Sequence, residues 1–305
     1  MNNIYYCNVN GNKIAYRRIG TGNVDVVIEA GLLSCMAEWN DTAKLIAKDH
    51  TVLLYERAGI FHSEQSRLDR TPENIAQDLN EVLKQIPHED KVILIGHSQG
   101  GLYVQQFARK YSSIVKGVIL LDPLSANDNQ FKELLTKEEY KAGGIDKFNN
   151  LDLSIKMLRF HLGGILKKVM KKAPPLYYYN FNKEDRNEIL DSFVCIQSFY
   201  TAKKEYKLSH QDQFINHLKN KDYFPDIPLV LITHANQFMI QETMYFGRTS
   251  FEIAEKVENV WQQIMKQYLE FSPKSIYFQA KNSGHYMHLT EPELILTGVQ
   301  YLDTL

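Results

Sequence analysis

The apolar run Lys91-Val-Ile-Leu-Ile95 passes directly into Gly96-His97-Ser98-Gln99-Gly100, and a helical pattern continues to about Lys110. A chain that leaves a buried strand and enters a helix within five residues must turn very tightly. The residue at the apex is forced into a strained backbone conformation, and only small neighbours such as Gly96 and Gly100 allow the close approach. A serine at that apex is lifted clear of the chain, where its hydroxyl can meet a base and a carbonyl. The N–H of Gln99, at the start of the following helix, can meet developing negative charge. Ser98 is therefore the candidate nucleophile, set against the plainer reading of a small residue in a tight turn.

The rest of the chain repeats the same strand-then-helix rhythm. Ile4 to Val9 and Lys13 to Ile19 flank Asn10-Gly11-Asn12, a hairpin signal. Strands are expected over Val24 to Glu29, Thr51 to Glu56, Lys116 to Leu121, Pro228 to Thr233 and Ser275 to Ala280. Helices are expected over Glu38 to Lys48, Pro72 to Ile86, Ser250 to Glu270 and from Pro292 onward. Thr71 is placed to cap the second of these, with Pro72 at its first position. Short apolar strands alternating with helices imply an α/β fold, a mostly parallel eight-stranded sheet with helices on both faces.

From Ser125 to Asp226 that rhythm stops. The stretch is rich in Lys, Tyr, Phe and Asn, reads helical in pieces, and is interrupted by Pro174-Pro175 and three tyrosines. The expected organisation is a core of residues 1–124 and 227–305 with residues 125–226 inserted as a helical cap. An insertion of that size belongs over the strands' C-terminal ends, where ligands bind in such sheets.

Charge and composition exclude other classes. A net charge of −1 without a basic tract offers nothing to a nucleic-acid backbone. Cys7, Cys35 and Cys195 are scattered, odd in number and without metal spacing, as expected of reduced thiols in a cytoplasmic protein. The start, Met1-Asn-Asn-Ile-Tyr-Tyr, does not read as a signal peptide, and no apolar run reaches the roughly 20 residues of a membrane span. The histidines other than His97, His285 and His288 show no i, i+4 pairing with carboxylates of the zinc-protease kind, so no metal is expected.

Several further segments carry a resemblance to the α/β-hydrolase superfamily over nearly the whole chain. Val26-Val-Ile-Glu-Ala-Gly-Leu32, followed by Trp39, resembles its oxyanion segment. Tyr55-Glu-Arg-Ala-Gly-Ile-Phe-His-Ser63 resembles the stretch usually read Asp-Arg-x-Gly-x-Gly-x-Ser. Asn282-Ser-Gly-His-Tyr-Met-His-Leu-Thr-Glu-Pro292 resembles the C-terminal histidine motif. The resemblance implies His285 as general base, preferred over His288, which is expected to pack behind it. It implies an oxyanion hole from the backbone N–H groups of Gln99 and Leu32, although Ala30-Gly31 stands where relatives often have His-Gly. His97 is expected to pack under the turn, Glu56-Arg57 to form a structural ion pair, and Trp39 to be core or to line an acyl pocket.

The acid is the open position. Most relatives place an Asp just after the strand that here is Pro228 to Thr233, but this chain continues His234-Ala-Asn-Gln-Phe-Met-Ile-Gln-Glu242. Asp226 lies before that strand, at the wrong end of the sheet. Asp122, after Lys116 to Leu121, is the preferred candidate, and Glu242 is the alternative. The resemblance implies a serine hydrolase of small or medium apolar carboxylic esters, calling for no cofactor and acting on small molecules as a monomer or homodimer. Thioesterase, lipase, amidase, peptidase, C–C hydrolase and acyltransferase chemistry remain alternatives, as does a ligand-binding protein without catalysis. Dehalogenase and epoxide hydrolase chemistry is disfavoured, because relatives of those kinds use an Asp where Ser98 stands.

Overall fold

In the computed structural model Asn10 and Gly11 both take positive φ (53° and 83°), the geometry of a two-residue hairpin turn. They fold β1 (Tyr5–Val9) back on β2 (Asn12–Ile19), with Tyr5 opposite Tyr16 and Val9 opposite Asn12. The structure describes residues 3–145 and 148–305. The first two residues of the N-terminal stretch and two positions of the insert lie outside the described residues. β3 (Val24–Glu29), β4 (Val52–Tyr55), β5 (His88–His97), β6 (Val115–Leu121), β7 (Leu229–Thr233) and β8 (Ser275–Gln279) complete one eight-stranded sheet. Its order is β1-β2-β4-β3-β5-β6-β7-β8, parallel from β4 to β8, as the alternation of strands and helices implied.

The buried strands read as continuous apolar runs because successive residues face opposite layers. Val27, Leu94, Leu120 and Leu231 pack on one side, with Leu79 and Val82 of α2 (Pro72–Leu83, after α1 at Met36–Ile46) and Phe107 of α3 (Gly100–Lys110). Val26, Ile93, Ile119 and Val230 pack on the other side, with Trp39 and Ile46 of α1. Each such fully buried Leu or Ile contributes about 2 kcal/mol. Thr71 caps α2 by accepting from the Asn74 N–H at 3.2 Å.

Between β6 and β7 the described residues hold helices and no strand. These are α4 (Gln130–Leu134), α5 (Lys137–Ala142), α6 (Phe148–Arg159), α7 (Gly163–Met170), α8 (Lys183–Ser192), α9 (Ile196–Leu208) and α10 (Asp212–Lys219). Leu151, Ile155, Leu166 and Phe199 of this insert form one apolar cluster with Cys35 and Leu289, and Leu32, Phe61 and Tyr286 pack against it. The insert therefore rests on the loops that leave β3, β4 and β8. After β7 come α11 (Asn236–Gly247), α12 (Phe251–Lys266), the short α13 (Met287–Thr290) and α14 (Glu293–Asp303). α11 had no counterpart in the sequence reading: Ile240 is its one buried side chain, so it carries almost no helical periodicity.

Candidate active site

Ser98 sits between the end of β5 and the start of α3 with φ of +53°, the left-handed conformation that the tight turn demands. Three hydrogen bonds hold it there. Its N–H donates to the Leu121 carbonyl at 3.1 Å, and its carbonyl accepts from the N–H groups of Gly101 at 3.0 Å and Leu124 at 2.8 Å. A Cβ at Gly96 would collide with Val104 and the Gly100–Gly101 backbone, and one at Gly100 with the Glu29 carbonyl, so neither glycine is replaceable. Ser98 itself stays partly exposed.

Register decides what lies beside this turn. His97 is opposite Leu121, Leu121 is opposite Ile232, and Thr233 is opposite Gln279, so β5, β6, β7 and β8 end level with one another. The first residues after β5 and β6 are thus brought to the same rim of the sheet. Asp122, immediately after β6, also has positive φ (45°), which Asp tolerates better than most residues, and its N–H donates to the Ile232 carbonyl at 2.8 Å. His285 arrives on the loop after β8, and its Nδ1 lies 2.6 Å from Asp122 Oδ2. The imidazole packs 4.6 Å, centroid to centroid, from that of His97, whose Nε2 meets the His285 carbonyl oxygen at 2.9 Å. His97 thus packs under the turn and also anchors the loop of His285.

The structure brings His285 to Asp122 and puts Glu242 in a different place. Glu242 projects from α11 against Gly284, where an added Cβ would strike its carboxylate. Burial pushes its carboxyl above the usual range, against the lowering effect of a hydrogen bond from Tyr178. Asp226 lies before β7 and belongs to the opposite end of the sheet.

Two residues were not singled out from the sequence. His234, the first residue after β7, has Nδ1 at 2.8 Å and 3.0 Å from the two oxygens of Asp122, and Nε2 at 2.9 Å from Glu258 Oε2. Its backbone N–H also donates to Asp122 Oδ1 at 3.0 Å. A neutral imidazole has one donor and one acceptor nitrogen, and here both nitrogens face carboxylates, so His234 is an imidazolium. Burial pulls its pKa down, but Asp122 and Glu258 together push it up to about 10. Burial likewise drives the Asp122 carboxyl up, yet His234 and then His285 hold it well below the usual carboxylate range. Glu258, Trp261 and Gln262 line one face of α12 at i, i+3 and i+4: Trp261 packs 4.0 Å from the His234 ring, and Gln262 donates to Glu258 Oε1 at 2.8 Å. The only sequence signal was a polar residue ending an otherwise apolar strand; its partner on α12 is 24 residues away and set by packing.

The loop after β3 passes so close to Ser98 that a Cβ on Gly31 would lie 3.2 Å from the serine Cβ. Arg57 braces this loop from behind. Its Nη1 donates to the Ala30 carbonyl at 2.7 Å and its Nη2 to the Gly31 carbonyl at 3.0 Å. Because a trans peptide sets N–H and C=O on opposite sides, fixing the Gly31 carbonyl toward Arg57 turns the Leu32 N–H away from it. The ion pair expected between Glu56 and Arg57 is not the one that forms. Arg57 pairs with Glu29 at 2.8 Å and Glu205 of α9 at 2.9 Å, while Glu56 accepts from the N–H groups of Met36 and His62. Glu29 and Glu205 are both fully buried: the guanidinium fork meets Glu205 in a bidentate pair through Nε and Nη2, while Glu29 accepts from Nη1 on one oxygen and from the Tyr55 hydroxyl on the other. Arg57→Lys, lacking the fork, should lower kcat about tenfold through a looser loop and cost about 2 kcal/mol of stability. Steady-state kinetics and urea midpoints check it.

His288 is wholly buried, stacked 4.0 Å on Trp39 with Nε2 at 3.1 Å from Glu38, so both His288 and Trp39 are packing residues behind the site. Glu56, His62 and Glu188 come within ligand distance of one another, but Arg17 already holds both oxygens of Glu188, at 2.8 and 2.7 Å. That leaves the group poorly suited to a metal.

Residues 26–292 match the family described as the alpha/beta hydrolase fold. Proline iminopeptidase PfmaB of Pestalotiopsis fici is 26% identical over 236 residues, covering 73% of this chain and 77% of that protein. Esterase EaEST from Exiguobacterium antarcticum superposes with a TM-score of 0.65 at 16% identity, covering 99% of this chain and 100% of that one. The epoxide hydrolase CorEH superposes with a TM-score of 0.64 at 17% identity, covering 99% of each chain. At such identities the two structures speak to the fold alone.

Proposed function

Because the chain belongs to the α/β-hydrolase family, we propose that it is a serine hydrolase cleaving small or medium apolar carboxylic esters. The observation that carries this reading is the 2.6 Å contact between His285 Nδ1 and Asp122, level with the strained Ser98 turn. Asp122 accepts the Nδ1 proton, which fixes the tautomer and leaves Nε2 as the free base. His285 then takes the Ser98 proton as the hydroxyl oxygen attacks the ester carbonyl. The oxyanion is held by the Gln99 and Leu32 N–H groups, and His285 returns the proton to the departing alcohol. Water, deprotonated in the same way, releases the acid and regenerates Ser98.

Residues 125–226 act in this reading as a cap over the core of 1–124 and 227–305. The apolar cluster around Leu32, Phe61 and Tyr286 favours an apolar acyl group. The reaction needs no cofactor, and the protein works in the cytoplasm as a monomer or homodimer. Among the described residues no helix is long and apolar enough to cross a membrane. A fluorophosphonate should label Ser98 in the folded protein, and p-nitrophenyl esters should be turned over with activity that Ser98→Ala abolishes. Absence of both would leave a ligand-binding protein. A panel of esters, thioesters and amides of graded chain length would then rank the bond and acyl preference.

A further inference from the structure

The net charge of −1 hides a local excess. Residues 151–172 hold six cations, Lys156, Arg159, Lys167, Lys168, Lys171 and Lys172, against one carboxylate, Asp152. Lys167 pairs with Asp191, and Asp152 with Lys203. The other five cations have no salt bridge among the described residues.

The same stretch exposes large apolar side chains: Phe160 is 75% exposed, Leu153 59%, Val169 55% and Ile165 51%. Helical geometry sorts them. α6 turns Leu151 and Ile155 inward, while Leu153 and Lys156, at i and i+3, share the opposite face; Phe160 follows directly after the helix, its N–H donating to the Lys156 carbonyl at 3.1 Å. α7 turns Leu166 inward, while Ile165 and Val169 share another face, flanked by Lys168 and Lys172. Each helix thus has a second apolar stripe, bordered by lysines, that the folded monomer does not use.

We propose that this outer face of α6 and α7 docks on an anionic lipid surface. Such a surface supplies both halves of what the face presents, acyl chains for Phe160, Ile165 and Val169 and headgroup phosphates for the lysines, whose long stems reach upward from a shallowly buried helix. A second copy of the chain fits poorly, since a two-fold contact through this face sets the same cations against each other. A nucleic acid would satisfy the lysines and leave the apolar stripe in water. The proposal is independent of the hydrolase reading. Should that reading hold, docking would bring the insert, and the apolar cluster beneath it, next to a reservoir of acyl esters.

Vesicle co-sedimentation tests it. The wild type should bind phosphatidylglycerol–phosphatidylcholine vesicles at least tenfold more tightly than pure phosphatidylcholine ones, and about 0.5 M salt should erase the difference. Each cation near the surface is worth about fivefold. Lys168→Glu/Lys172→Glu should therefore lose well over tenfold, and Phe160→Ser/Ile165→Ser should lose binding even at low salt. Both variants replace exposed side chains, so circular dichroism and turnover of a water-soluble ester should match the wild type; the lysine pair stands as the test if the apolar pair misfolds. Equal binding to both vesicle types, or binding insensitive to the lysine pair, overturns the proposal. So does a dimer in sedimentation velocity that the same variants dissolve, or tight binding of a DNA duplex that Phe160→Ser/Ile165→Ser leaves intact.

Discussion

Asp122→Asn should lower kcat by about 1000- to 10 000-fold with KM little changed, while Glu242→Gln should change kcat by less than about tenfold. The asymmetry follows from hydrogen-bond polarity. Asp122 offers only acceptors to His285, so Nδ1 must carry the proton and Nε2 the lone pair. An amide at 122 presents its NH2 to one imidazole or the other. Where it faces His285 it selects the tautomer with hydrogen on Nε2, which cannot take a proton from Ser98. Glu242 lies against Gly284 and Tyr178, and losing its charge leaves that polarity in place. Because labelling of Ser98 by a fluorophosphonate needs the same base, its rate should fall in parallel with kcat in Asp122→Asn. A large effect at Glu242 with a small one at 122 would move the acid to α11.

His234→Gln should destabilise the protein by about 3–5 kcal/mol, read as a lower urea midpoint near neutral pH. The imidazolium lies between two carboxylates that are 2% and 3% exposed, and removing it leaves both charges buried without a cation.

Stability should show the same group in a second way. The folded-state pKa of His234 is raised, to about 10, above an ordinary value near 6.5, so folding takes up a proton between those values. Its contribution is fully present below about pH 6.5 and fades as pH rises toward 10. The wild-type urea midpoint should therefore fall across that interval, and the fall should flatten in His234→Gln. Asp122 works in the other direction: its depressed carboxyl contributes above the ordinary carboxylate range and loses that contribution as the solution is acidified below it. Adding Glu258→Gln to His234→Gln removes one of the stranded charges and should recover part of the stability. A double variant no more stable than the single would mean that the ring acts by filling space.

The residues legible in the sequence are those whose role is written in local backbone demands. Gly96-His97-Ser98-Gln99-Gly100 announces itself because a strand-to-helix reversal tolerates few residue types, and Thr71-Pro72 or Asn10-Gly11 because caps and hairpins are equally local. Asp122 was reached only through the resemblance, because some relatives place their acid after the strand that here is β6. The partners themselves were not legible. Arg57 reaches Glu205 across 148 positions and His234 reaches Glu258 across 24, and neither spacing follows from helix or strand periodicity. Reading Glu56-Arg57 as a pair failed because adjacent residues at a strand end point to opposite sides. α11 escaped notice because a helix that buries one side chain leaves no stripe to detect.

Arg57 has a bearing on how freely this architecture can be recombined. Inserts between β6 and β7 invite treatment as interchangeable modules, grafted from one scaffold to another to alter selectivity. In this molecule the guanidinium joins the graft to the scaffold: one arm of its fork belongs to Glu29 and the Ala30 carbonyl, the other to Glu205. A transplanted segment without an acidic residue at that spot leaves Arg57 with Glu29 as its one carboxylate and its Nε donor unpaired, directly behind the loop that faces Ser98. Chimaeras that carry such a residue across keep scaffold and graft in one electrostatic unit, and those that do not begin with a defect at the most sensitive wall of the site.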